Sequence, residues 1–274
     1  KNRSIKLNYF EQEPENNTFT NIMVDLTHKC QMNCSNCYIP NRDIPDLDKN
    51  KLYNFLAKLP KRTYIRLIGA EPTMREDLPE IISKVKGLGH KPSVTTNGLK
   101  LAQASYVKQL KDAGLRLILH SMNGADDDEV YKIVDEGKWA NLKVRALQNI
   151  IDARLPLNTG TIIVKGVNEH ILKRQIDLII ELVESRGINF DTTSPYNRIV
   201  PVVRIKSVGA IGRYMENSSY KIDELIDLTI ESLGINCKDF KNVAAGVNRI
   251  FQEGKMSSYM IPYFTKVGKV FIRL

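Results

Sequence analysis

From Asn21 onward the chain alternates short, branched apolar runs with longer stretches whose apolar residues recur every three or four positions. That alternation is the pattern of parallel strands joined by amphipathic helices. NIMVDLT (21–27) reads as strand one and DLDKNKLYNFLAKL (46–59) as its helix, with Asp46 or Asp48 available as N-cap. TYIRLIG (63–69) is strand two, followed by a helix in REDLPEIISKVKGLG that its glycines would end. KPSVTTNG (91–98) is strand three, with a helix from about Ser105 to Ala113, and LRLILHSM (115–122) is strand four, leading to helices in DDDEVYKIV and NLKVRALQNIIDA. LPLNTGTIIVKG (155–166) is strand five, and EHILKRQIDLIIELVESRG is its long helix. Strand six is open between INFDTTS (188–194) and VPVVRIKSV (200–208); a helix around KIDELIDLTIESLG and a hairpin-like tail, SYMIPYFTKVGKVFIRL, close the chain.

Six strand–helix units are too few for a complete eight-stranded barrel and suit a partial barrel or an open parallel sheet. In either, the loops after the strands' C-terminal ends build the site. The unusual residues all follow strands: a cysteine loop after strand one, GAEPT after strand two, TTNG after strand three and HSMNG after strand four. They should converge on one rim.

Composition narrows the function classes. Four cysteines among 274 residues, three of them bunched, do not make a secreted disulfide scaffold. A reducing, cytoplasmic setting with metal chemistry is the expectation. No apolar run approaches the ~18 residues of a membrane span, and the start lacks the apolar core of a signal peptide. Beginning on Lys and stopping on KVGKVFIRL is what a chain trimmed at one or both ends would show. Lys and Arg exceed Asp and Glu by 40 − 31 = 9, which admits a nucleic-acid partner. The cations are nevertheless dispersed among acidic residues rather than blocked together, so nucleic acid is the minority expectation.

Cys30, Cys34 and Cys37 follow C-x-x-x-C-x-x-C. Three uses compete. Zinc could add His28 as a fourth ligand, although its distance from Cys30 is unlike usual zinc spacing. A redox dithiol could use Cys34 and Cys37 but leaves Cys30 idle. An iron–sulfur cubane uses all three and leaves one iron open to a ligand. Cys237 lies far off in an apolar context and reads as a buried core thiol.

The triplet after strand one, GAEPT (69–73) after strand two and TTNG (95–98) after strand three together resemble the radical S-adenosylmethionine (SAM) superfamily over about residues 20–215. The resemblance implies an α/β fold, a partial (β/α)6 TIM-like barrel of parallel strands over 21–215. It would carry a short N-terminal extension (1–20) and a C-terminal helix-and-strand extension (216–274). It implies a [4Fe–4S] cluster on Cys30, Cys34 and Cys37, with SAM along Gly69, Ala70, Glu71 and Pro72, the backbone and carboxylate taking its amino group. Thr96 and Asn97 match the end of strand three, and TIIVKGVNEH (161–170), with Val164, resembles the segment that packs on adenine. Asn36 stands where the family carries an aromatic residue, so Tyr38 is the expected aromatic contact; Ala70 replaces the second glycine of the motif. With only Cys237 left over, a single cluster is expected.

By the same resemblance, Ser121 and Asn123 would contact SAM's carboxylate or ribose, with an ordinary Asn-Gly turn as the equal alternative, and Asn158 and Thr159 would reach the ribose. His120 reads as a packed or solvent-facing histidine; Lys143 and Arg145 could reach a carboxylate from the next helix, with a solvated helix face as the leading account. Some of Asp191, Tyr196, Asn197, Arg204 and Arg213 would face the substrate if their segment forms the last strand and its loop. The implied activity is reductive cleavage of SAM to a 5′-deoxyadenosyl radical that abstracts hydrogen from an unidentified substrate. Functionalisation or methylation of a small molecule heads the options, in faint resemblance to methylase-like members. Modification of a peptide, protein or nucleic-acid base, or a non-catalytic iron–sulfur module, are the alternatives. A flavodoxin or ferredoxin would supply the electron. No catalytic side chain is singled out.

Overall fold

A computed structural model describes residues 12–39, 41–189, 201–209, 212, 213, 215–234 and 260–274. The elements are β1 (Asn21–Asp25), α1 (Lys49–Ala57), β2 (Tyr64–Ile68), α2 (Leu78–Gly87), β3 (Lys91–Thr96), α3 (Ala104–Asp112), β4 (Leu117–Ser121), α4 (Asp128–Val134), α5 (Ala140–Asp152), β5 (Leu157–Ile163), α6 (Ile171–Glu184), β6 (Val202–Ser207), α7 (Ile222–Leu233), β7 (Met260–Thr265) and β8 (Gly268–Arg273). Of the two candidates for strand six, the structure has the second. Asp191, Tyr196, Asn197 and Cys237 lie outside the described residues.

The strands form one open eight-stranded sheet in the order β1-β2-β3-β4-β5-β6-β8-β7. All neighbours are parallel except the β7–β8 hairpin. The tail therefore does more than lie against the parallel sheet, because β8 pairs with β6 and extends it. Right-handed crossovers between strands laid down consecutively place the connecting helices on one face. The buried alternate residues of each strand meet that layer: Ile65 and Leu67 of β2 share one core with Leu52 and Leu56 of α1 and with Ile81, Ile82 and Val85 of α2. The other positions of each strand point to the inner face, because side chains alternate along a strand.

Two local features aim the loops. Asp48 caps α1, its side chain accepting from the Asn50 and Lys51 amides, whereas Asp46 accepts from the Thr27 hydroxyl at 2.6 Å and from Lys29 at 3.1 Å. At the end of β2, a Cβ on Gly69 would lie 2.4 Å from the Thr27 carbonyl oxygen. Glycine there lets β2 turn against the chain leaving β1, and the Ala70 amide donates to the same carbonyl at 2.8 Å.

Candidate active site

The cysteine loop between β1 and α1 is held from outside. The Ser35 amide and hydroxyl donate to the Val134 and Ile133 carbonyls at the end of α4, at 3.0 and 2.8 Å, and Asn33 donates to Glu136 at 2.7 Å. The Arg213 amide donates to the Cys37 carbonyl at 2.8 Å, and its guanidinium to Asn33. Gly212 touches the same stretch, where a Cβ would stand 2.3 Å from the Cys37 carbonyl oxygen. Arg213 thus clamps the cysteine loop.

Cys30, Cys34 and Cys37 are free, half-buried thiols on one open cleft at the C-terminal ends of the strands. The cleft has a volume of about 140 Å3 and is open to solvent at its mouth. Of the sequence-predicted residues, Tyr38, Gly69, Ala70, Thr96, Asn97 and Ser121 border it with the cysteines. Asn158 lies on the inner face of β5 beside Val202, outside the cleft wall. Val164 is fully buried in a satellite core with Val130, Ile171 and Val208, and Thr159 is buried on the helix-facing side of β5.

Glu71 sits behind the cleft, fully buried. Its Oε1 accepts from the Thr73 amide (3.0 Å), the Thr73 hydroxyl (2.6 Å) and the Thr96 hydroxyl (2.7 Å). Its Oε2 accepts from the Asn97 amide at 2.7 Å and keeps a lone pair for a further donor. One carboxylate thereby ties the loop after β2 to the end of β3. Thr96 in turn accepts from the Gly98 amide at 2.9 Å. Gly98 has φ +83°, and a Cβ would lie 2.0 Å from the His120 ring, so the glycine of TTNG is demanded by both backbone and neighbour. His120 is fully buried; desolvation, with Lys143 nearby, pushes its pKa down to about 3 and keeps it neutral.

Lys143 corrects the solvated reading. It falls on the buried stripe of α5 with Ala140, Ala146, Leu147 and Ile150 and is 1% exposed. Its ammonium donates to the carbonyls of Asn97 (3.2 Å) and Ser121 (2.9 Å), the ends of β3 and β4. It also lies 3.5 Å from the buried carboxylate of Asp135. Asp135 accepts from Asn123 at 2.9 Å. Both, with Lys143, border the cleft. Arg145 is exposed, as expected for a solvated face. Arg42 was not foreseen either; its guanidinium donates to the Cys37 sulfur at 3.2 Å and to the His28 carbonyl at 3.3 Å. The available signals were a lysine in phase with an apolar helix stripe and an arginine five positions past a cysteine.

The donor set fits an iron–sulfur cluster better than a single ion. Among the described residues no group of three His, Cys, Asp or Glu side chains stands ready to hold one metal ion, whereas the three thiols border one cleft. His28 is engaged with Asp25 and the Asn41 carbonyl instead. Burial pushes the Cys30 and Cys34 thiols up, and the Asp135 charge adds to this at Cys34. The buried Asn36 amide nitrogen borders the same cleft with no partner, an unmet donor that a bound ligand can satisfy.

The model of the Radical SAM superfamily matches residues 24–179. The 7,8-dihydro-6-hydroxymethylpterin dimethyltransferase of Methanocaldococcus jannaschii is 29% identical over 190 residues, 64% of this chain and 37% of that protein. A probable GTP 3′,8-cyclase of Methanococcus aeolicus is 29% identical over 187 residues, 62% of this chain and 60% of that protein. The chain therefore spans 37% and 60% of the length of these relatives. The crystal structure of Streptococcus suis SuiB bound to S-adenosylmethionine superposes with a TM-score of 0.60 at 13% identity, covering 86% of this chain and 48% of that one. At that identity the likeness is one of fold.

Proposed function

This chain belongs to the radical SAM superfamily, and on that premise we propose that it cleaves SAM reductively at a [4Fe–4S] cluster on Cys30, Cys34 and Cys37 and takes hydrogen from a small-molecule substrate. The family uses that cluster and SAM, which when bound supply the 5′-deoxyadenosyl radical. The observation that carries the reading is the cleft itself. Three free thiols border it, with the Glu71–Thr96–Asn97 network behind it and the ends of β2, β3 and β4 around it.

The chain's own residues bind and orient. The spare lone pair of Glu71 Oε2 and the backbone carbonyls of the GAEPT turn suit SAM's ammonium, as acceptors. Ser121 and Asn123, which border the cleft, suit its carboxylate as donors, with the Lys143 cation close behind them. Arg42 holds the Cys37 sulfur in place by its guanidinium hydrogen bond. The named relatives act on a pterin and on GTP, which supports a small molecule here. A small reducing protein such as a flavodoxin or ferredoxin would deliver the electron in a cytoplasmic setting. No described helix is long and apolar enough to cross a membrane.

The test is anaerobic. The chain is reconstituted with iron and sulfide, reduced with dithionite and given SAM; 5′-deoxyadenosine is expected by mass spectrometry. A loaded, reduced cluster that yields none, with SAM shown to be bound, would overturn the reading. Glu71→Gln supplies a finer check, because it replaces one carboxylate oxygen by a donor facing hydroxyl and amide donors. Losing charged hydrogen bonds of about 1.5–3 kcal/mol each should weaken SAM about tenfold or more by calorimetry and lower Tm by several degrees. Unchanged SAM affinity in a folded variant would remove Glu71 from the site.

A further inference from the structure

Away from the cysteines, the inner face of the sheet carries four cations with no counter-charge among the described residues. Ile65 and Leu67 face the helices, so Arg66 of β2 points inward; Val203 and Ile205 do the same for Arg204 and Lys206 of β6, and Val270 and Ile272 for Arg273 of β8. The β6–β8 register sets Arg204 directly beside Arg273, although like charges opposite one another destabilise a sheet. On the other flank Arg204 pairs with Gly160, where a Cβ would meet nothing within 4 Å, leaving room for a ligand. Arg66 comes from the far side of the sheet, yet its charge acts on both Arg204 and Lys206.

Among the described residues none of the four has a side-chain hydrogen bond or ion pair. The register neighbours of Arg66 are Met23 and Ser93, and those of Lys206 and Arg204 on β5 are Ile162 and Gly160, all uncharged. Asp25, the acid on the inner side of β1, is taken by His28. Burial, then the neighbouring cations, holds Arg204 down to about 10 and Lys206 down to about 8. Arg66 and Arg273 are lowered by burial as well. Half-buried guanidinium groups without partners are costly to the free fold, which a bound anion would offset.

Lys206 stands level with Ile162, part of the cleft wall, and Arg204 and Arg273 lie two residues further down their strands, roughly 6–7 Å away. We propose that Arg66, Arg204, Lys206 and Arg273 form the anion subsite of the substrate, and that this substrate is a small molecule bearing two or more phosphoryl groups. The proposal rests on the cleft being the reaction site, because it places the reacting end of the molecule there, past Lys206. Guanidinium forks match phosphoryl oxygens in pairs. Two arginines on adjacent strands about 4.8 Å apart, with Arg66 opposite, suit consecutive phosphoryl groups better than a single one. The position at mid-strand inside the sheet suits a small molecule rather than a nucleic-acid backbone.

Calorimetry on the full chain, purified without oxygen and without added cluster or SAM, tests this with inorganic tripolyphosphate, pyrophosphate, orthophosphate and citrate. Tripolyphosphate should bind at least about tenfold more tightly than orthophosphate or citrate, and Arg204→Met should weaken it by about tenfold or more. The same substitution should leave Tm unchanged or raised, since it relieves repulsion by Arg273. Lys51→Met, an exposed cation elsewhere, should change neither. As pH rises from 7 to 9 the Lys206 ammonium, facing Arg204, Arg66 and Arg273, loses its proton, so affinity should fall. Equal affinity for all four anions, or binding insensitive to Arg204→Met in a folded variant, would overturn the proposal. Citrate matching tripolyphosphate would overturn the phosphoryl assignment. Should Arg204→Met fail to fold, Arg66→Met gives the same reading from another strand. The measurement needs no radical chemistry, so a negative result here leaves 5′-deoxyadenosine formation standing, and the converse holds too.

Discussion

A Cys34→Ala chain, reconstituted and reduced alongside the unmutated protein, is expected to lose 5′-deoxyadenosine formation and most of its cluster iron while remaining folded. Cys34 borders the cleft and is held by a loop whose anchors do not involve its sulfur: Ser35 to the end of α4, Asn33 to Glu136, and Arg213 to the Cys37 carbonyl. The loop should survive the change, so circular dichroism and Tm should move little. The chemistry should not. Removing groups that merely orient a metal ligand costs about 10–100-fold, and removal of a ligand itself should cost more than about 100-fold. Iron and sulfide content, read with product, separates cluster loss from a cluster that forms but does not work. Undiminished iron and product in the alanine chain would mean that Cys34 is not a ligand.

The second large effect is on stability. Lys143→Met should lower Tm by about 10 °C, because it strands Asp135, 2% exposed, without its cation and releases the Asn97 and Ser121 carbonyls that Lys143 holds at 3.2 and 2.9 Å. Breaking one side of a buried ion pair costs about 3–5 kcal/mol, and a chain of this size loses roughly 2–4 °C per kcal/mol. Lys143→Met combined with Asp135→Leu should recover part of that loss, since the orphaned charge is then gone. The same variants should bind SAM more weakly, because the ends of β3 and β4 are no longer drawn together. A Lys143→Met chain that melts with the parent would show the pair to be dispensable to the fold and leave it a ligand role alone.

The strand–helix order could be read from the chain because both periodicities are local. The alternation in LNTGTII and the stripe in ILKRQIDLIIELVE each lie within one element. The same holds for the cysteine triplet, whose spacing is set within one loop. Glu71, Thr96 and Asn97 could be singled out one at a time, but nothing local says that one carboxylate joins them. For Lys143, helix phase says only that it shares a face with Ala140 and Leu147. Whether that face meets solvent or the ends of two strands depends on packing between elements. Val164 follows an apolar strand and is buried, yet in a satellite core instead of the cleft.

The sequence by itself determined the unit order, the cysteine loop and the turn motifs that mark the site, since each depends on residues within a few positions of one another. Only the tertiary structure decided that β8 returns to pair with β6, that Asp135 and Lys143 meet at the cleft, and that Arg66, Arg204, Lys206 and Arg273 come to stand on one face of the sheet. Those outcomes follow from sheet register and burial, which join side chains distant along the chain through contacts that no single segment encodes.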